Sequence, residues 1–289
     1  MSIVITTPTG NIGSATTRAL LDAGEKPVLI ARDPAKVQEF TDRGATVQQG
    51  SHSDTAFLTE ATKGAEALFV LVPPDWQMQD IRGHYRKFAE AAKTAAEANA
   101  IPHVVLLSSI GANLESGNGP VAGLYVAEQV LGDSSIPNVT CLRPGYFMEN
   151  TMGQIPNILQ AGSLFTTFPE NTRFPMIATQ DIGARAAELL RNRAWSGRQV
   201  VELHGDENSY DDVAGVLSDV LGKEIKHVTV GSDQLVQALV GMGASQVLAD
   251  SFVELSDAIM DGRFEYFEPR SEQNTTPTTY VEFARAAYK

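Results

Sequence analysis

The sequence predicts an α/β chain: a doubly wound parallel sheet followed by a smaller, mostly helical C-terminal part. Three observations predict it. Short β-branched runs alternate with helical stretches from Ile3 to Leu142. Several of these runs are apolar without a break, as strands buried on both faces are. The first run leads directly into a glycine-bearing turn that opens the first helix.

Ile3-Val4-Ile5 reads as the first strand, and Ile12 to Ala23 as the first helix, with Gly24 as its stop. Val28-Leu29-Ile30-Ala31 is the second strand. Pro34 sits in the first turn of a helix reaching about Arg43, which Gly44 ends. Ala45-Thr46-Val47 is the third strand, and Ala67-Leu68-Phe69-Val70-Leu71-Val72 the fourth. A long helix follows from about Met78 to Ala100, where Met78, Ile81, Tyr85, Phe88 and Ala92 recur at three- and four-residue steps. Val104 to Leu107 is the fifth strand, Val121 to Leu131 a helix, and Val139 to Leu142 the sixth strand.

After Pro144 the rhythm changes. Residues 151–175, rich in Gly, Pro, Thr and Asn, read as surface loop and short helix. A helix from Asp181 to Arg191 and a strand from Gln199 to Leu203 return to the sheet. Tyr210–Leu221, Ser232–Val240 and Ser245–Met260 read as helices. The expected layout is a nucleotide-binding domain over 1–150, with 176–204 returning to it. Residues 151–175 and 205–289 then form a smaller substrate cap.

Composition narrows the function classes. The 289 residues carry 22 Lys+Arg and 35 Asp+Glu, a net charge of −13. So acidic a surface repels phosphate backbones and anionic membranes, which argues against nucleic acid and membrane partners. It leaves a homodimer open. The single cysteine, Cys141, excludes an intrachain disulfide and a cysteine zinc site, and it reads as a buried small hydrophobe. The five histidines share no metal-ligand spacing, so no metal is expected. A start without a basic, apolar leader and the lack of a long apolar stretch predict a cytoplasmic protein.

The strongest local signal is Thr6-Thr7-Pro8-Thr9-Gly10-Asn11-Ile12-Gly13, between the first strand and the first helix. In a Rossmann-type dinucleotide site, glycines let the backbone approach the pyrophosphate, and the helix N-terminus offers free N–H groups. Here Gly10 and Gly13 are present, and Thr7 replaces the first glycine. An ordinary βα turn also uses glycine. Thr7, Thr9, Gly10, Asn11, Ile12 and Gly13 are the candidate pyrophosphate contacts. At the end of the second strand, Arg32 and Lys36 suit a ribose 2′-phosphate, so NADP is favoured over NAD. Asp33 is the competing group; beside Pro34 it is expected to cap the next helix instead.

The motifs at 9–13 (Thr-Gly-Asn-Ile-Gly), 31–36 (Ala-Arg-Asp-Pro-Ala-Lys), 108–112 (Ser-Ser-Ile-Gly-Ala), 142–150 (Leu-Arg-Pro-Gly-Tyr-Phe-Met-Glu-Asn) and 181–183 (Asp-Ile-Gly) carry a resemblance. The chain resembles the NmrA-like, atypical branch of the short-chain dehydrogenase/reductase superfamily, above all its quinone oxidoreductase type 2 and triphenylmethane reductase members. Classical members of the superfamily use a Tyr-x-x-x-Lys pair for proton transfer. None of the seven tyrosines here has Lys four residues on. The family's pair positions fall at Leu124 and Glu128.

The resemblance implies an NADPH-dependent reductase whose hydride goes to a small conjugated acceptor, such as a quinone, that needs no positioned protein acid. It places Ser108 and Ser109 near the nicotinamide, Val72 and Pro73 beside the ribose, and Ser51 and His52 along the adenine. The family's usual acid is missing at Ser51. Tyr146 and Asn150 are the candidate reaction-site residues, stacking on and orienting the acceptor. Trp76, Tyr125, Phe147, Phe165 and Phe168 are candidate substrate contacts, although aromatics such as these more often pack in a core. Two other classes fit the same family. One is a non-catalytic regulator that senses dinucleotide redox state through protein partners. The other is a nucleotide-sugar or lignan-type enzyme, which requires a proton-transfer residue not found in the sequence.

Overall fold

The computed structural model describes residues 2–288. Its strands are β1 (Ser2–Ile5), β2 (Val28–Ala31), β3 (Thr46–Gln49), β4 (Ala65–Val70), β5 (His103–Leu107), β6 (Asn138–Pro144), β7 (Tyr146–Phe147), β8 (Ser163–Thr166), β9 (Phe174–Ile177), β10 (Arg198–Leu203), β11 (Asp206–Asn208) and β12 (Lys226–Thr229). Its helices are α1 (Asn11–Asp22), α2 (Gln38–Thr41), α3 (Thr55–Ala61), α4 (Ile81–Ala98), α5 (Val121–Gly132), α6 (Ile155–Ala161), α7 (Thr179–Arg191), α8 (Tyr210–Leu221), α9 (Ser232–Gly241), α10 (Gln246–Met260) and α11 (Tyr280–Ala287).

Seven strands form one sheet in the order β10-β6-β5-β4-β1-β2-β3, every pair parallel. The chain winds outward from β1 to β3, then crosses back to β4 on the other side of β1. That reversal between β1 and β4 is the switch point, where open α/β sheets bind ligands at the carboxyl ends of their strands. This is the Rossmann-type sheet that the apolar strand runs predict. Leu68, Phe69 and Val70 of β4 and Val104, Val105 and Leu106 of β5 are fully buried, as central strands covered on both faces must be.

On one face α1 and α7 cover the sheet, and on the other α3, α4 and α5. Small residues set the spacing. Ala89, Ala91, Ala92, Ala95 and Ala96 line the inner side of α4. A Cβ at Gly183 would come within 2.5 Å of the Ala15 Cβ, so α1 and α7 cross in close contact because residue 183 has no side chain.

The structure departs from the sequence reading in several places. Strand β4 ends at Val70, two residues early, and a helix not foreseen, α3, follows an Asp54 cap. The 34–43 helix is a 3-10 turn over Pro34–Val37 with a short α-helical end. Residues 151–175 are not mere surface loop. They contain α6 and β8 and run into β9, and Ile158, Leu164, Phe168 and Phe174 are buried with Tyr210, Val213, Leu217 and Tyr280 in a separate core. Their apolar residues are scattered among turn formers, so no period shows. They find partners only through distant chain: β8 pairs with β12, and β9 with β7 and β11.

Helices α9 and α10 follow the predicted bounds, with Ser245 capping α10 through Leu248 N–H. The pair packs on the loop after β4 through Met78, Leu239, Leu248 and Ala249. No helix among the described residues is long and apolar enough to cross a membrane.

Candidate active site

The turn after β1 is held to β4: Thr6 N–H donates to Phe69 O (3.3 Å), and Thr6 Oγ1 accepts from Leu71 N–H (3.2 Å). Helix α1 begins at an uncapped Gly10 and has no acid in its first turn. Helices α3, α4, α8, α10 and α11 receive side-chain caps from Asp54, Asp80, Ser209, Ser245 and Thr279, whereas α5, α6 and α7, like α1, receive none. Free first-turn amides with the positive end of a helix dipole make an anion site. Gly13 is what allows the turn to close: a Cβ there would lie 1.8 Å from Thr7 O. Thr7 Oγ1 is buried without a hydrogen-bond partner among the described residues. Thr9 and Asn11 are exposed beside the amides, and Ile12 is buried beneath them. The turn thus fits a diphosphate on three separate counts: free amides, a glycine-tight backbone and an unpaired hydroxyl.

At the end of β2, Arg32 and Lys36 are exposed, and neither is in an ion pair among the described residues. Asp33 turns away, its carboxylate accepting from Ala35 N–H at 3.1 Å. An unpaired guanidinium and ammonium remain exposed at the carboxyl end of β2. Next to them His52 is buried, and its pKa falls to about 4. Burial is the main cause, opposed by a hydrogen bond with the Leu71 backbone; the nearby Arg32 and His84 charges lower it further. The His52 ring packs on Phe88 at 4.7 Å, and its Nε2 has no partner among the described residues. Ser51 Oγ pairs instead with Ser53 Oγ at 2.9 Å. Val72 is buried, and Pro73 O is bonded to His84 Nε2 at 2.9 Å.

At β5 and β6 the structure reveals a feature missed in the sequence. Ser108 Oγ donates to Glu128 Oε1 at 2.5 Å, and Arg143 grips the same carboxylate through Nε (2.9 Å) and Nη2 (2.5 Å). Both charged side chains are less than a tenth exposed. The Ser108 hydroxyl is therefore committed inside the protein and does not face the cofactor edge as expected. Burial works against the Arg143 charge, but the bonds to Glu128 and its charge raise the pKa overall, so the guanidinium stays protonated. A lone Glu and a lone Arg inside apolar runs were the signal that could have shown the pair. Ser109 Oγ donates locally to Ile110 O at 2.9 Å, and Tyr125 is half-buried on α5.

Tyr146 follows β6 as expected, but its hydroxyl lies 3.1 Å from Tyr210 Oη, and its ring meets Phe174 at 5.0 Å and Phe168 at 6.2 Å. Burial raises its pKa, against the hydrogen bonds to Tyr210 and Asn150. Tyr146 thus joins the crevice to the C-terminal core. Asn150 is exposed, and Phe147 packs toward the sheet. Phe168 is core, 5% exposed, and does not close a pocket from a loop. Phe165 lies on β8, where Gln154 bonds its backbone on both sides. Trp76 is 45% exposed, and its carbonyl accepts from Ser245 N–H. Among the described residues no His/Cys/Asp/Glu group is placed to hold a metal ion.

Comparison with known proteins follows this geometry. Residues 1–284 match the model of the NmrA-like family. The chain is similar to NAD(P)H azoreductase of Xenophilus azovorans, 29% identical over 259 residues, covering 88% of this chain and 85% of that protein. It is similar to quinone oxidoreductase 2 of Escherichia coli, 28% identical over 282 residues, 96% and 95% of the two chains. In fold it is similar to Citrobacter triphenylmethane reductase complexed with NADP(H), with TM-score 0.83, 20% identity, and 99% and 100% of the chains covered. With the glycine turn, the reversed sheet and a model match over nearly its whole length, the chain belongs to the NmrA-like family.

Proposed function

We propose that this protein is an NADPH-dependent reductase of small conjugated acceptors, quinones foremost. The observation that carries the reading is the uncapped, glycine-tight start of α1 at the switch point, with unpaired Arg32 and Lys36 at the β2 end. Two relatives covering most of this chain are named as an NAD(P)H azoreductase and a quinone oxidoreductase, which supports it.

In this reading the free N–H groups of Asn11, Ile12 and Gly13 and the Thr7 hydroxyl hold the diphosphate, and Gly10, whose own N–H is bonded to Thr7 O, lets the backbone approach it. Arg32 and Lys36 take the 2′-phosphate. His52, kept neutral by burial, offers Nε2 to the adenine edge. The nicotinamide supplies hydride, and the chain supplies position and exclusion of water. Ser109 and Tyr146 border the acceptor from the ends of β5 and β6. No proton donor is assigned, because an acceptor such as a quinone can take its proton from water. Both the monomeric and the dimeric protein fit this scheme.

NADPH oxidation at 340 nm against a panel of quinones and azo dyes tests it. Turnover that saturates with acceptor is expected. Tight NADPH binding without turnover on any acceptor would overturn the reductase reading and favour a redox-sensing regulator.

A further inference from the structure

The segment after α10 forms a strap across the carboxyl edge of the sheet. Phe264 lies over Gly111, in the loop after β5: a Cβ at Gly111 would fall 2.5 Å from the Phe264 ring, and residue 111 has φ +84°. Tyr266 lies over Gly145, after β6, where a Cβ would fall 2.6 Å from its hydroxyl. That hydroxyl donates to Leu203 O at the end of β10 (3.3 Å), and the ring stacks on His204 at 3.9 Å. Two glycines at adjacent strand ends thus leave room for two aromatic rings from a distant part of the chain.

The strap is held from below by a buried charge. Glu202 of β10 is 1% exposed, and its Oε2 accepts from Phe267 N–H (2.8 Å) and Glu268 N–H (3.0 Å). Glu202 is the register partner of Arg143 on β6. An ionised carboxylate buried to this degree is costly unless it is paired and hydrogen-bonded. Here it spans from the sheet interior to the strap backbone. Arg263 Nη1 donates to Gly117 O at 2.6 Å, fastening the start of the strap to the loop after β5, and Glu254 of α10 accepts from Gly119 N–H of the same loop at 3.1 Å.

We propose that the strap sets acceptor specificity, with Phe264 as the aromatic wall that selects acceptor size and Glu202 as its positioning residue. This rests on the reductase reading. Phe264 is half-buried over the loop that begins at Ser108-Ser109, at the carboxyl end of β5. A planar acceptor lying there meets the ring face, so the class selected is a flat monocyclic or bicyclic conjugated ring. Bulkier three-ring acceptors are resisted by the same wall.

The test compares one-ring and three-ring quinones on the parent, Phe264→Ala, Phe264→Leu and Glu202→Gln, with NADPH affinity measured separately by fluorescence. Phe264→Ala should raise KM for the one-ring acceptor about tenfold and shift the one-ring to three-ring kcat/KM ratio toward the larger acceptor by a similar factor. NADPH Kd should stay within about twofold. Phe264→Leu, which keeps most of the volume, should fold like the parent and shift the ratio in the same direction by less. Glu202→Gln should shift the ratio with Phe264 intact, which a purely structural role would not do. An unchanged ratio in all three variants, with an active parent, overturns this inference alone. A parent inactive on every acceptor overturns the reductase reading and this inference with it.

Discussion

Replacing Glu128 by Ala removes the carboxylate that Arg143 and Ser108 share. The Arg143 side chain is 8% exposed, so solvent cannot take over the two bonds it loses. Breaking a buried pair from one side costs about 3–5 kcal/mol, because a desolvated charge is left behind. The stranded Ser108 hydroxyl adds about 1 kcal/mol. Glu202, next to Arg143 across the β6–β10 ladder, offsets part of this, which puts the expected loss near the lower figure, about 3–4 kcal/mol. A domain's whole stability is about 5–15 kcal/mol, so the effect is large. Removing both charges with Glu128→Gln and Arg143→Met should recover at least about 2 kcal/mol relative to the sum of the single losses, since neither half of the pair is left alone and Glu202 keeps its two strap N–H donors. Urea unfolding followed by circular dichroism, extrapolated to water, measures Glu128→Ala, the Glu128→Gln and Arg143→Met single variants and their double variant. The reasoning fails if Glu128→Ala lies within about 1 kcal/mol of the parent, or if the double variant loses the full sum.

Burial lowers the folded pKa of His52 from 6.5 to about 4, so protonation favours the unfolded chain. Its contribution is fully present above pH 6.5 and is lost as the pH falls toward 4, by about 3 kcal/mol in all. Urea titrations across that range should show the slope, and His52→Gln should flatten it. Gly13→Ala should abolish NADPH quenching of tryptophan fluorescence, because its Cβ meets Thr7 O at 1.8 Å. Gly10→Ala, whose nearest contact would be 3.9 Å, should fold with parental stability. The Cys141 thiol, pushed up to about 12 chiefly by burial, should resist a disulfide reagent in the native protein and react on unfolding.

The sheet was legible because its strands are local, apolar runs between turn formers, and a strand buried on both faces must be written that way. The cofactor turn was legible for the same reason: glycine, strand and helix start are contiguous. What could not be read depends on long-range partners. Phe168 and Phe174 look like loop aromatics until Tyr210 and Tyr280 close over them. Strand β8 has no identity without β12, whose residues lie more than sixty positions later. Glu128 stands as a lone charge among mostly apolar residues in sequence, and only the fold brings Arg143 and Ser108 to it. The strap has no period at all. It is fixed by backbone N–H groups on a carboxylate in β10 and by aromatic rings that meet their glycines only once the chain is folded.

Titration calorimetry of NADPH and NADH into the pure protein, repeated with Arg32→Ala, tests the cofactor site most directly. NADPH should bind at least about tenfold more tightly than NADH, and Arg32→Ala should remove most of that preference while sparing NADH, as loss of a charged phosphate contact does. Absence of binding heat for either nucleotide across calorimeter temperatures would contradict the account at its root.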